Sequence, residues 1–136
     1  MIIKNYTDLE QSKKLSEILP IESADMVYIK HSSSDNPTWE FNEDLPPMIL
    51  GNIPISEMTV EVLPCWSLAA LLNVLPKIYY PVKDHKTDLI LGKPKDEWCV
   101  LYWDTTGMQH GEETLGDNPV DACVNMIVKL KELNLI

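Results

Sequence analysis

Glu97-Trp98-Cys99-Val100-Leu101-Tyr102-Trp103-Asp104 is the stretch on which the fold turns. Successive side chains of a strand point to opposite faces of a sheet. Trp98, Val100 and Tyr102 therefore share one face, and Cys99, Leu101 and Trp103 share the other. Both faces are apolar. An antiparallel sheet covered by helices on one side alternates apolar with polar residues, so this strand is expected to have something packed on each side. The second cover is either the N-terminal 62 residues or another copy of the chain. A bare face would be an unusually large apolar patch for a soluble monomer.

Working outward, Thr87 to Leu91 reads as a second strand, joined to the first by the hairpin turn Gly92-Lys93-Pro94-Lys95-Asp96. Gln109 to Leu115 is a third, polar and therefore an edge strand. After it, Gly116-Asp117-Asn118 breaks the chain. Asp117 or Asn118 is a suitable cap, and Pro119 suits the first position of a helix. Val120, Cys123, Met126, Ile127 and Leu130 then recur at helical spacing. Lys129 and Lys131 lie near the C-terminal end, where the helix dipole favours cations. The helix is predicted over residues 118–133.

Upstream, Cys65 to Leu75 reads as a helix opened by Pro64 and closed before Pro76. It is apolar nearly all round, which predicts burial on more than one side. The N-terminal half is plainer. Thr7-Asp8-Leu9-Glu10 has the pattern of a capping box with Thr7 as cap, predicting a helix from Asp8 to Leu19. Met26 to Ile29 and Trp39 to Phe41 read as short strands. Residues 31–48 otherwise have the composition of a loop, with a further strand near Met48–Leu50 and a turn at Gly51-Asn52.

At 136 residues the chain has room for one hydrophobic core, and is expected to be a single α+β domain. Its core is an antiparallel sheet of three or more strands with helices packed on it, in the order α-β-β-β-α over residues 63–136. Residues 1–62 form a helix-plus-strand segment laid on that core.

The α-β-β-β-α order resembles that of the double-stranded-RNA-binding domain. In that family the last helix opens with lysines set against phosphates. Here the position reads Asp117-Asn118-Pro119-Val120-Asp121, which repels phosphate, so the resemblance implies the topology and not the function. The segments Pro64-Cys65-Trp66-Ser67-Leu68, Trp98-Cys99-Val100-Leu101-Tyr102 and Asp117-Asn118-Pro119-Val120-Asp121-Ala122-Cys123 give a second resemblance. They look like those of small α/β sandwich proteins of phage and mobile-element origin in gut anaerobes. The likeness covers residues 64–136 and implies an accessory role, with no established activity to transfer.

The net charge is −10, and all eleven basic residues are Lys. Without Arg, the preferred fork for phosphates and base edges, an acidic chain is not expected to bind nucleic acid. Residues 1–64 hold four Lys against eleven Asp and Glu. Such acid serves solubility first; the sharper reading is an acidic DNA-mimic inhibitor. No run of apolar residues is long enough to span a membrane, and the N-terminus lacks the pattern of a signal peptide. A cytoplasmic location is expected. The three cysteines, odd in number and widely spaced, agree with a reducing compartment.

Few residues are arranged for chemistry. Cys65, Cys99 and Cys123 with His31, His85 and His110 show no ligand spacing, so no metal and no cofactor is expected. The best nucleophile is Cys65, set at the predicted helix start where the dipole lowers a thiol pKa, with His110 or His85 and Asp104 completing a Cys-His-Asp set. A buried structural thiol is the simpler reading, and no catalytic residue is assigned. Glu112-Glu113 and Glu43-Asp44 are neighbours in extended chain and point apart. Aromatic residues favour interface centres, so Trp66, Cys99, Leu101 and Trp103 are the expected binding residues. The functional expectation is a non-enzymatic protein-binding or accessory module that self-associates through the second sheet face.

Overall fold

The structure, a computed structural model, describes residues 4–31, 35–43, 60–76, 87–104 and 109–136. It is of the α+β class. Two three-stranded antiparallel sheets accompany three α-helices among the described residues. The chain divides into two compact units, Tyr6–Ala70 and Leu71–Ile136 with Met1–Asn5.

In the first unit, helix α1 spans Leu9–Ser16. It is shorter than the predicted Asp8–Leu19, and its cap is Asp8 rather than Thr7. Asp8 Oδ1 accepts from Gln11 N at 2.8 Å, and Gln11 Oε1 accepts from Asp8 N at 3.1 Å. The capping box thus lies one residue further on, because Thr7 is drawn into the interior. A 3₁₀ turn at Ile21–Ser23 leads to β1, Met26–His31. Strands β2 (Trp39–Asn42) and β3 (Val60–Cys65) flank it in the order β2-β1-β3. One face of this sheet gathers Tyr28, Leu63 and Cys65 beneath Tyr6, Leu9 and Phe41, with the Tyr6 and Phe41 rings stacked 4.0 Å apart. The other carries Val27 and Ile29 with Val60 and Val62.

Cys65 is not at a helix start. It is the last residue of β3, opposite Met26 of β1. The alternation of Val60, Val62 and Pro64 against Glu61, Leu63 and Cys65 is a strand pattern. Pro64 is tolerated because β3 is an edge strand, where a missing N–H can face away from the ladder. Helix α2 begins only at Leu68 and runs to Val74. Ser67 caps it, its Oγ accepting from Ala70 N at 3.1 Å, and Asp25 holds Ser67 by both its N–H and its hydroxyl. The predicted burial on several sides does not occur. Leu71 alone within α2 is fully buried, and Ala69 and Asn73 are exposed.

The second unit holds β4 (Thr87–Gly92), β5 (Trp98–Asp104) and β6 (Gln109–Gly116), ordered β4-β5-β6, with α3 over Pro119–Glu132. The hairpin follows the sequence reading, β6 is an edge as expected, and β5 is the central strand. Helix α3 lies on β5 and β6. Val120, Cys123, Met126, Ile127 and Leu130 are completely buried, as are Val100 and Tyr102 on the sheet face of that side. Asn118 caps α3, with Oδ1 accepting from Asp121 N at 2.9 Å. Lys4 Nζ pairs with Asp121 Oδ1 at 2.8 Å. The predicted strand at Met48–Leu50 and the turn at Gly51-Asn52 lie outside the described residues.

Candidate functional site

The face of β4-β5-β6 turned away from α3 is built by strand register. Ile90 stands opposite Leu101, and Gly92 opposite Cys99. Cys99 in turn faces Leu115 of β6, and Leu101 faces Glu113. Directly opposed residues in an antiparallel pair point to the same side. Ile90, Cys99, Leu101, Leu115 and Glu113 therefore share one surface, and Trp103 joins them from its place on β5. Ile90 is 41% exposed and Leu115 46%, while Leu101 and Trp103 are half-buried. Between Leu101 and Trp103 the register with β6 slips by one, so Gly111 and Glu112 stand against Tyr102 alone. Such a bulge bends its strand and increases the local twist.

At the hairpin end the face sinks into a hollow of about 300 Å³ bounded by Ile90, Gly92, Lys93, Pro94, Cys99 and Leu101. Its walls are almost entirely apolar. Cys99 lies at its base, 1% exposed, with its thiol donating to Glu113 Oε1 at 3.4 Å. Burial, followed by the hydrogen bond and the negative charge of Glu113, pushes this thiol up to about 11. The hollow is thus shaped for apolar contact rather than for nucleophilic chemistry.

Of the four expected binding residues, β5 brings together Cys99, Leu101 and Trp103. Trp66 belongs to the other unit. It is completely buried, and its indole Nε1 donates to Ser23 Oγ at 2.9 Å. Ile90 and Leu115 were missing from the sequence prediction. Their place follows from the register, which pairs them with Leu101 and Cys99; the alternation of β5 alone does not reveal them.

Cys65 has the surroundings of a structural thiol. Cys65 is completely buried, and burial, as the largest influence, raises its thiol pKa. Its partners are Thr7 and the strand beneath it. Cys65 Sγ donates to Thr7 O at 3.4 Å, Tyr28 Oη donates to the same carbonyl at 2.8 Å, and Thr7 Oγ1 accepts from Trp66 N at 3.1 Å. Asp104 belongs to the other unit, and His85 lies outside the described residues. Cys123, beneath α3, is pushed up by burial to about 12. Among the described residues no group of three or more His, Cys, Asp or Glu side chains is placed to hold a metal ion, and no helix is long and apolar enough to cross a membrane.

No protein-family model, curated protein or solved structure matches this chain. The sheet face and the chemistry of its residues are therefore the ground for a functional reading. Two further hollows among the described residues are smaller or more polar. One of about 220 Å³ lies beside α2 and the start of β4, bounded by Leu72, Leu75, Thr87 and Asp88. The other, of about 60 Å³, is bounded by His31, Asn36, Thr38 and Glu40. Neither gathers a nucleophile with a base.

Proposed function

We propose that this chain is a non-enzymatic protein-binding module, and that a protein partner docks on the sheet face of Ile90, Leu101, Trp103 and Leu115. One observation supports the reading above the others. The central strand is apolar on both sides, α3 covers one side, and the opposite side leaves Ile90 and Leu115 more than two-fifths exposed. Exposed apolar residues scattered singly need no explanation, whereas a contiguous set on one sheet face marks a contact surface. The half-buried Trp103 has the character of an interface anchor. The accessory role implied by the resemblance of residues 64–136 to phage and mobile-element proteins is of the same kind.

The buried, high-pKa thiols weigh against a cysteine-dependent enzyme, since the thiolate is the nucleophile. A photo-crosslinking residue placed at Leu115 in cells tests the docking face, with the exposed Asp117 as control position. A discrete protein adduct formed at 115 and absent at 117 is the expected result. No adduct at 115, or the same adducts at both positions, overturns the reading.

A further inference from the structure

We propose that the protein also associates with a second copy of itself by antiparallel pairing of β4 with β4, about a two-fold axis at Ile90. This rests on the reading of the chain as a protein-binding module and names one partner and its geometry. Among the described residues, the sheet edges differ in a way that singles out β4. An open edge strand is a template for further pairing unless proline, short length, charge or a bulge blunts it. Strand β3 carries Pro64, β2 has only four residues, and β6 is broken by its bulge and bears the Glu112–Lys129 ion pair. Strand β4 has six residues in unbroken register with β5, and contains neither proline nor lysine. Among the described residues, no backbone hydrogen bond joins Asp88–Gly92 to anything but β5.

The sequence of β4 is complementary to itself in one register. Opposed residues must share a face, so the two-fold axis passes through a residue rather than between two. Centred on Leu89, the pairing would set each Asp88 carboxylate against Ile90 of the other copy. Centred on Ile90, the two isoleucines meet, Leu89 meets Leu91, and Asp88 meets Gly92, next to Lys93. Asp88 and Lys93 are both exposed, and neither forms an ion pair among the described residues. The Ile90-centred register brings them together twice. Charge complementarity therefore points to a second copy rather than to an unrelated strand. The joined sheet has six strands, and its two docking faces continue as one surface. An edge of six residues makes a small interface, so the dimer depends on concentration.

The test uses the full chain, with circular dichroism confirming the fold of each variant. In the Ile90-centred register the two Cα atoms at position 90 stand about 4.5–5.5 Å apart, within reach of a disulfide. Mild oxidation of Ile90→Cys is expected to give a covalent dimer, and Leu115→Cys at the same concentration is expected to remain monomeric on a denaturing gel. In sedimentation equilibrium, Asp88→Lys should raise the dissociation constant about tenfold, and the exchange Asp88→Lys with Lys93→Asp should restore it. A strictly monomeric wild type, a failure of Ile90→Cys to crosslink, or an exchange that does not restore association overturns the proposal. A dimer abolished by Leu101→Lys and indifferent to the charge exchange would show copies meeting face to face. In that case the docking face stands and the edge pairing falls. If photo-crosslinking at Leu115 fails while Ile90→Cys crosslinks, the edge pairing stands without the docking face.

Discussion

The Cys99 thiol and the Glu113 carboxylate meet diagonally across the β5–β6 ladder, Sγ to Oε1 at 3.4 Å. A carboxylate beside a buried thiol opposes its ionisation. With Cys99 at about 11, Cys123 at about 12 and Cys65 also raised, none of the three forms a reactive thiolate at neutral pH. Native protein mixed with an alkylating reagent at neutral pH should label slowly, and the same protein in denaturant should take up one equivalent at each of the three cysteines. Fast labelling of Cys65 in the native state would revive the case for a nucleophile.

The same shifts set a pH dependence of stability. In the unfolded chain Cys99 and Cys123 ionise near the ordinary 9.0; in the folded chain they hold their protons to about 11 and about 12 respectively. The unfolded state then binds fewer protons than the folded one above 9.0, so the linkage slope is negative there. The contribution is complete below 9.0 and is lost as pH rises through the folded values. Urea midpoints should fall over that window, and Cys123→Ala should flatten the fall relative to the wild type. An unchanged slope in that variant would remove Cys123 from the account.

Gly116 closes β6 immediately before α3. A Cβ added to it would lie 2.5 Å from the backbone nitrogen of Ala122, and neither backbone can move without parting the helix from the sheet. Gly116→Ala is therefore expected to destabilise the fold by about 1–3 kcal/mol, as overpacking does. Gly92, with nothing within 4 Å of its own Cβ position, is the matched control, and Gly92→Ala should shift the denaturation midpoint far less.

Thr7 is completely buried, and its hydroxyl joins Ser12 Oγ at 2.8 Å and Trp66 N at 3.1 Å. Thr7→Val keeps the shape and deletes the hydroxyl, leaving a buried backbone N–H and the Ser12 hydroxyl short of a partner. The expected loss is about 1–3 kcal/mol. Thr7→Ser should recover most of it in thermal melts, because it restores the oxygen.

Helix α3 and the β4–β5 hairpin were legible in the sequence because their signals are local. Asn118, Pro119 and the apolar spacing that follows fix the helix, and alternation with a Gly-Lys-Pro turn fixes the hairpin. The start of α2 was misread because Pro64 serves equally as a helix-opening residue and as an edge-strand residue. Only the pairing of β3 with β1 across residues 26–31 decides between them. Thr7 was misread for a similar reason. A hydroxyl three residues before a Glu is a good local cap, but the tertiary bonds to Ser12 and Trp66 outweigh that role. The docking face was half legible: Cys99, Leu101 and Trp103 follow from alternation within one strand, and Ile90 and Leu115 needed the register between strands.

The ion pair of Lys4 with Asp121 joins residues 117 positions apart. A ribosome makes Lys4 117 residues before Asp121, so the pair can form only once the intervening chain has been made. The first turn of α3 is thus tied to a segment that precedes it by almost the whole of the described chain. A chain cut short before Asp121 would lack that ion pair.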